Sequence, residues 1–182
     1  MLTILTGNKN KFLDLQSALS PMEVELLGLE LDEIQSLRPQ VVIEHKLHQA
    51  HLQAPGKEFL IDDRSLSIEG LAGLPGTFVK WFLETVGVDG IYTMAKNSAS
   101  MKAVARAWVG YCSAAGEYHY FLGEVEGTIV APRGDLDYGW GPLFLPEGSK
   151  KTFGEMTKQE KAGWSHYGRA LEKFTVFYKT QK

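Results

Sequence analysis

The chain has 182 residues, 44% of them hydrophobic and 23% charged, and a formal net charge of −3. That length holds one domain with a substantial core, and a slightly acidic chain lacks the basic stripe with which duplex nucleic acid is bound. The single cysteine, Cys112, excludes an internal disulfide framework, and no Cys/His cluster has zinc-ligand spacing, so a reducing compartment, the cytosol, is expected.

The first residues, MLTILTGNKNK, carry only a short apolar run and no small-residue cleavage site. Nowhere do about 18 apolar residues run together, so the expectation is a soluble chain that is not exported and has no membrane partner. Residues 2–5 read as a short buried strand, broken by Gly7 and Asn8 before Phe12, Leu15 and Leu19 recur at helical spacing and stop near Pro21. Further strands are expected at 24–29 and 59–61, with a helix over 41–52 between them. Strands that alternate with helices indicate an α/β sheet. Residues 70–76, GLAGLPG, are a loop by their Gly and Pro content, and the helix that follows is closed by Gly87. Residues 103–130 are rich in Val, Tyr, Phe and Trp and are interrupted by SAAGEY, the pattern of a long antiparallel pair. A last helix over 165–178 carries Ala170, Leu171, Phe174 and Phe177 on one face.

Three stretches have the residue types that chemistry needs. TGNKNK, residues 6–11, places a hydroxyl, a glycine, an amide and two lysines where a strand feeds a helix, and the N–H groups at a helix start suit phosphate. Its spacing is not that of a Walker A loop, and a Gly-Asn turn before a helix also has a purely structural reading. IDDRS, residues 61–65, sets two adjacent carboxylates after an apolar run, where open α/β sheets place ligand groups. Asp62 and Asp63 together with Glu33 form an oxygen donor set suited to magnesium; alternatively, one of the pair caps the next turn and the other is solvated. The run YGWGPLFLPEGSKKTFGEM, residues 138–156, is a stiff, aromatic, nearly uncharged loop of the kind that holds a flat group. Lys46, Lys161, Arg169 and Lys173 read singly as solvated surface charges. Ser165 reads as an N-cap beside His166, and Trp164 and Tyr167 suit either a site or a core.

Taken in order, TGNKNK, EIQ, DD, GLPGTFVKWFL, APRGDLDYGWGPLFLPEG, KTFGEM and KAGWSHYGRALEKF resemble the inosine triphosphate pyrophosphatase family over almost the whole chain. The resemblance implies an α/β fold with an elongated central mixed sheet, and a single domain, 1–182, of two α/β lobes with a substrate cleft between them. It also implies Mg2+-dependent cleavage of a nucleoside triphosphate to the monophosphate and pyrophosphate, a small-molecule nucleotide substrate and a homodimer. Carried over position by position, Lys11 matches a phosphate-contacting lysine, with Thr6 and Asn8 as its turn. Glu33 matches a metal-binding glutamate, and Lys46 a lysine on the next helix that faces the phosphates. Asp63 matches the aspartate that serves the metal and the attacking water, with Asp62 beside it. Lys161 matches a phosphate lysine, and Tyr138, Trp140, Ser165 and His166 match positions around the base.

The chain departs from that pattern in three places. Gly141 stands where the family usually has Asp, and Tyr167 where it has Arg, the two side chains that read the polar edge of a 6-oxopurine. Arg64 follows the carboxylate pair where Ser or Thr is usual, and its guanidinium suits three roles: neutralising Asp63, displacing a metal or clamping phosphate. Three functional expectations follow. One is an active pyrophosphatase with weakened or redirected base selection. Another is a catalytically silent nucleotide-binding or scaffold homologue. The third is an enzyme whose substrate class has changed to a modified or pyrimidine nucleotide.

Overall fold

The structure, a computed structural model, describes residues 1–182 apart from Asn8, Asp137, Tyr138, Lys182 and the side chain of Asn10. The apolar N-terminal run is strand β1 (Leu2–Ile4), and helix α1 (Lys9–Leu19) buries Leu15 and Leu19. Strand β2 (Val24–Leu26) is shorter than its apolar run, and helix α2 (Pro39–Gln53) starts on a proline, whose fixed φ and missing N–H suit a first turn. Strand β1 pairs in parallel with β2 on one side and with β3 (Glu58–Ile68) on the other.

Strand β3 corrects the sequence reading most. It was expected to end at residue 61, and instead runs through Asp62, Asp63, Arg64 and Ser65 to Ile68. Those carboxylates therefore cap no turn. The charged run reads as a loop only because the partners that make it tolerable inside a strand come from distant parts of the chain. After β3 come a 3₁₀ turn at Glu69–Leu71 and strand β4 (Pro75–Gly76), antiparallel to β3. Helix α3 (Val79–Thr85) ends before Gly87, whose φ of 66° turns the chain directly into helix α4 (Gly87–Lys96), which the sequence reading passed over.

Strands β5 (Lys102–Cys112) and β6 (Tyr118–Ile129) are neighbours in the sheet and are joined by a turn in which Ser113 N–H donates to the Glu117 carbonyl at 2.9 Å. So tight a connection joins antiparallel strands. Strand β7 (Phe144–Pro146), also unexpected, runs antiparallel to β6. Among the described residues the sheet is seven-stranded and mixed, in the order β2-β1-β3-β5-β6-β7, with β4 on β3. Helix α5 (Lys158–Ala162) is short, and α6 (His166–Thr180) occupies the place expected of the last helix.

The chain divides into two compact units. The first is 1–63, 108–122 and 170–182; the second is 64–107 and 123–169. In the first unit α2 lays Ile43, Leu47 and Ala50 on Phe59, Ile61 and Cys112. A Cβ on Gly110 would stand 2.2 Å from Ile43 Cγ2, so a glycine in β5 is what allows α2 to seat there. Burial pushes the Cys112 thiol pKa up, which leaves it a packing residue. An aromatic group of Tyr111, Phe121, Phe174 and Tyr178 packs in the same unit, and the Tyr111 and Tyr178 hydroxyls both donate to Glu58, at 2.6 and 2.9 Å. In the second unit β3 and β5 contribute Leu66, Ile68, Ala103 and Ala105 to a core closed by Ile91, Phe144, Phe153 and Met156.

The free flank of β6 is covered by side chains. The Glu126 carbonyl accepts from Glu147 N–H at 2.9 Å, the Glu124 carbonyl from Arg169 Nη1 at 2.7 Å and the Leu122 carbonyl from Lys173 Nζ at 2.6 Å. Arg169 and Lys173 are thus engaged with backbone, where the sequence reading took them for solvated charges.

Candidate active site

In the first unit the charged candidates come together as lysine–carboxylate pairs. Lys11, in the first turn of α1, donates to Asp62 Oδ2 at 3.4 Å, and the Asp62 side chain is only 2% exposed. Neighbours in a strand point to opposite sides. Phe59 and Ile61 face α2, so Asp63 extends their row, while Asp62 points to the other side and meets Lys11. The two adjacent carboxylates therefore leave β3 on opposite faces. Asp62 is a partner of Lys11, and Asp63, half-buried with its Oδ2 enclosed, stands apart from it.

Glu33 lies on the segment before α2, and its carboxylate accepts from Lys46 Nζ. Helix α2 arranges this contact with a polar stripe at i, i+3 and i+7. Beside Lys46, Gln49 accepts from Asp32 N–H at 2.8 Å and donates to the Asp32 carboxylate at 2.9 Å, and Gln53 donates to the Glu30 carbonyl at 3.1 Å. Gln49 and Gln53 escaped the sequence reading. The signal available was their helical spacing from Lys46. Thr6 is half-buried between β1 and α1, and Asn8 lies outside the described residues.

Among the described residues no three acidic, histidine or cysteine side chains cluster as a metal cage. Magnesium does not need one, since it is commonly held by one or two carboxylates together with waters and substrate phosphates. Glu33 and Asp63 are oxygen donors of that kind in the first unit, and Asp63 Oδ2 is an enclosed carboxylate oxygen, so their donor chemistry suits the ion.

In the second unit the candidates are aromatic. Trp140 is half-buried with Phe144, Phe153 and His166 around it, at ring-centroid distances of 5.8, 6.1 and 5.4 Å. His166 is buried and packs on Phe153 as well. The Ser165 hydroxyl accepts from Gly168 N–H at 3.0 Å, so this serine is the N-cap of α6 and fixes where His166 and Tyr167 begin the helix. The Arg64 guanidinium lies over the Tyr167 ring, 3.9 Å from its centroid. Tyr138 lies outside the described residues.

The loop that carries Trp140 is fastened through its backbone. Asp135 N–H donates to the Gly154 carbonyl at 2.9 Å, Gly154 N–H to the Gly141 carbonyl at 3.0 Å and Arg133 N–H to the Pro142 carbonyl at 3.1 Å. Gly134 has φ of 88°, and a Cβ there would meet the Gly154 carbonyl carbon at 2.3 Å. The Thr152 N–H donates to Glu155 and holds that carboxyl below its ordinary pKa. Lys161 sits half-buried on α5, which Thr157 and Glu160 start as a reciprocal capping box. The Lys151 ammonium and the Thr157 N–H bring the Glu160 pKa down to about 2.

A separate cavity of about 800 Å³ in this unit is lined by Ser67, Lys102, Arg106, Glu126, Leu145 and Glu147, among others. None of the sequence-predicted residues lines it.

Similarity to known proteins agrees with the fold and the residue pattern. A sequence model of the Ham1 family matches residues 2–177. The chain is 36% identical over 176 residues to an inosine triphosphate pyrophosphatase of Yarrowia lipolytica, covering 95% of this chain and 93% of that protein. It is 38% identical over 176 residues to one of Pyricularia oryzae, covering 96% and 91%. The Staphylococcus aureus Ham1 protein superposes with a TM-score of 0.87 over 100% of both chains, at 19% identity, which speaks for the fold.

Proposed function

The chain belongs to the Ham1 family, and from that premise we propose that it is a nucleoside triphosphate pyrophosphatase. Water adds to the α-phosphorus, the bond from that phosphorus to the bridging oxygen breaks, and that oxygen leaves with the electron pair as pyrophosphate, giving the nucleoside monophosphate. The observation that carries this reading is the contact of Lys46 with Glu33: α2 draws a phosphate-type ammonium and a metal-type carboxylate into one pair, with Asp63 in the same unit.

Asp63 orients the water and takes its proton, the work of a positioned carboxylate base. Lys11 and Lys46 place positive charge against the charge that develops on the departing pyrophosphate. Asp62 acts through Lys11, fixing the position of its ammonium. Thr6 and the start of α1 receive the phosphates beside Lys11. Glu33 and Asp63 would hold Mg2+, which when bound would supply Lewis-acid polarisation of phosphoryl oxygens.

Trp140, with His166 and Tyr167 from the start of α6, forms the wall for the base. Base preference departs from the inosine and xanthosine pattern in one respect: Gly141 supplies no carboxylate to accept from a base N–H, so that edge goes unread. We also propose a homodimer in the cytosol. The lone buried Cys112 supports a reducing compartment, and among the described residues no helix is long and apolar enough to cross a membrane. Light scattering checks the dimer.

The deciding experiment measures pyrophosphate and monophosphate release from a panel of purine and pyrimidine nucleoside triphosphates, with and without magnesium. Metal-dependent release of both products is expected. Nucleotide binding without release, in a folded protein, establishes the silent scaffold in place of the enzyme. Release of orthophosphate refutes attack at the α-phosphorus.

A further inference from the structure

The two substitutions at Arg64 and Tyr167 are in contact with one another. We propose that Arg64 is the specificity-determining residue of the base site, supplying from β3 the guanidinium that α6 lacks at position 167. The proposal rests on the nucleoside triphosphate pyrophosphatase reading above. Three observations carry it. With its carbon 3.9 Å from the Tyr167 centroid, the guanidinium lies over the ring, which fixes the position of the cation. Tyr167 is adjacent to His166, whose ring is 5.4 Å from Trp140, so the cation stands at the helix start that also flanks the indole. Arg64 and Tyr167 are both half-buried, and Arg64 Nη2 is enclosed, which strengthens what the cation does to a neighbouring dipole.

A guanidinium has donors and no acceptor. A 6-oxopurine presents two acceptors side by side, O6 and N7, and matches the fork; adenine presents N7 beside an amino donor and does not. Arg64 therefore favours 6-oxopurines over 6-aminopurines. Since Gly141 offers no side chain, nothing at that position reads the N1–H or the 2-substituent. Tyr167 positions the guanidinium by stacking, a role that an arginine at 167 could not share with a second cation beside it.

The test is the ratio of kcat/KM for inosine triphosphate to that for adenosine triphosphate, read by pyrophosphate release in the wild type, Arg64→Met and Arg64→Lys. Met keeps the stem and loses the charge; Lys keeps the charge and loses the fork. The wild type should favour inosine triphosphate, and Met should lower the ratio at least about tenfold, the scale of losing hydrogen bonds from a charged donor. Lys should fall between the two. If Met does not fold by circular dichroism, the Lys ratio decides alone. Equal losses on both nucleotides overturn the proposal and assign Arg64 to the phosphates or to Asp63, while the pyrophosphatase reading survives. A wild type that releases pyrophosphate from both nucleotides equally also overturns it. A wild type that releases none from any nucleotide overturns the reading beneath it.

Discussion

The two compact units place their candidate residues by different physics. In the first unit each charged group stands on a helix, a strand or the segment just before a helix, and its neighbour is another side chain: Lys11 with Asp62, Lys46 with Glu33, Gln49 with Asp32. In the second unit Trp140 stands on a loop whose shape is set by backbone bonds at Arg133, Asp135, Gly141 and Gly154 and by the absence of side chains at Gly134 and Gly154, where the chain closes on itself. Charge is placed by side-chain pairing and can be removed group by group. The aromatic wall is placed by chain path and fails as a whole.

That contrast can be broken first at its catalytic end. Asp63→Asn removes the proton acceptor and should lower pyrophosphate release by about 10² to 10⁴-fold, the usual weight of a positioned base, with an unchanged melting temperature. Activity near the wild-type level removes Asp63 from the mechanism. Lys11→Ala and Lys46→Ala should each cost about 2 to 4 kcal/mol of transition-state stabilisation, seen in kcat/KM and unaccompanied by loss of fold. Glu33→Gln should raise the magnesium concentration that gives half-maximal rate, and an unmoved titration makes Glu33 only a tether for Lys46.

The aromatic half should respond through stability. Gly134→Ala forces a Cβ against the Gly154 backbone at a left-handed φ, and overpacking of this kind costs about 1 to 3 kcal/mol. Tryptophan fluorescence should shift with the unfolding midpoint, because Trp140 sits on the loop this contact closes. A variant as stable as the wild type would show that the loop does not depend on that approach. Thr157→Ala should cost about 1 kcal/mol, the ordinary value of a lost N-cap.

The smallest expected effect is a dependence on pH. Glu160 has its pKa lowered from 4.5 to about 2 in the folded chain, chiefly by Lys151. Its contribution is therefore fully present above pH 4.5 and is lost as pH falls from there towards 2. Glu160→Gln should flatten that part of the melting curve against pH, and a curve that keeps its slope assigns the loss to other acids.

Periodicity sufficed for the elements that bury one face. Helices α1, α2 and α6 and the β5–β6 pair were legible because Leu15, Leu47 and Phe174 recur with the right spacing and end in the core. Charge hid the second half of β3: Asp62 is a poor strand residue by itself and becomes acceptable once Lys11, distant in sequence, reaches it. Gly87 was legible as a helix stop, and the sequence offered no reason to expect another helix to begin on it. Strand β7 is three residues long, too short to show a period, and depends on its register with Gly127 to Ile129. Within the site, the default reading of Ser165 as a cap agrees with its bond to Gly168, while the stacking of Arg64 on Tyr167 joins positions that no local pattern connects.

The bonds from Arg169 and Lys173 to β6 have a consequence for self-association. Past the short β7, the carbonyls of Leu122 and Glu124 form a row of open acceptors of the kind on which a foreign strand can add and seed fibrils. The two cations occupy that row, so a strand that added there would first have to displace them. Their loss should appear in the shelf life of a concentrated solution before it appears in the rate of any reaction.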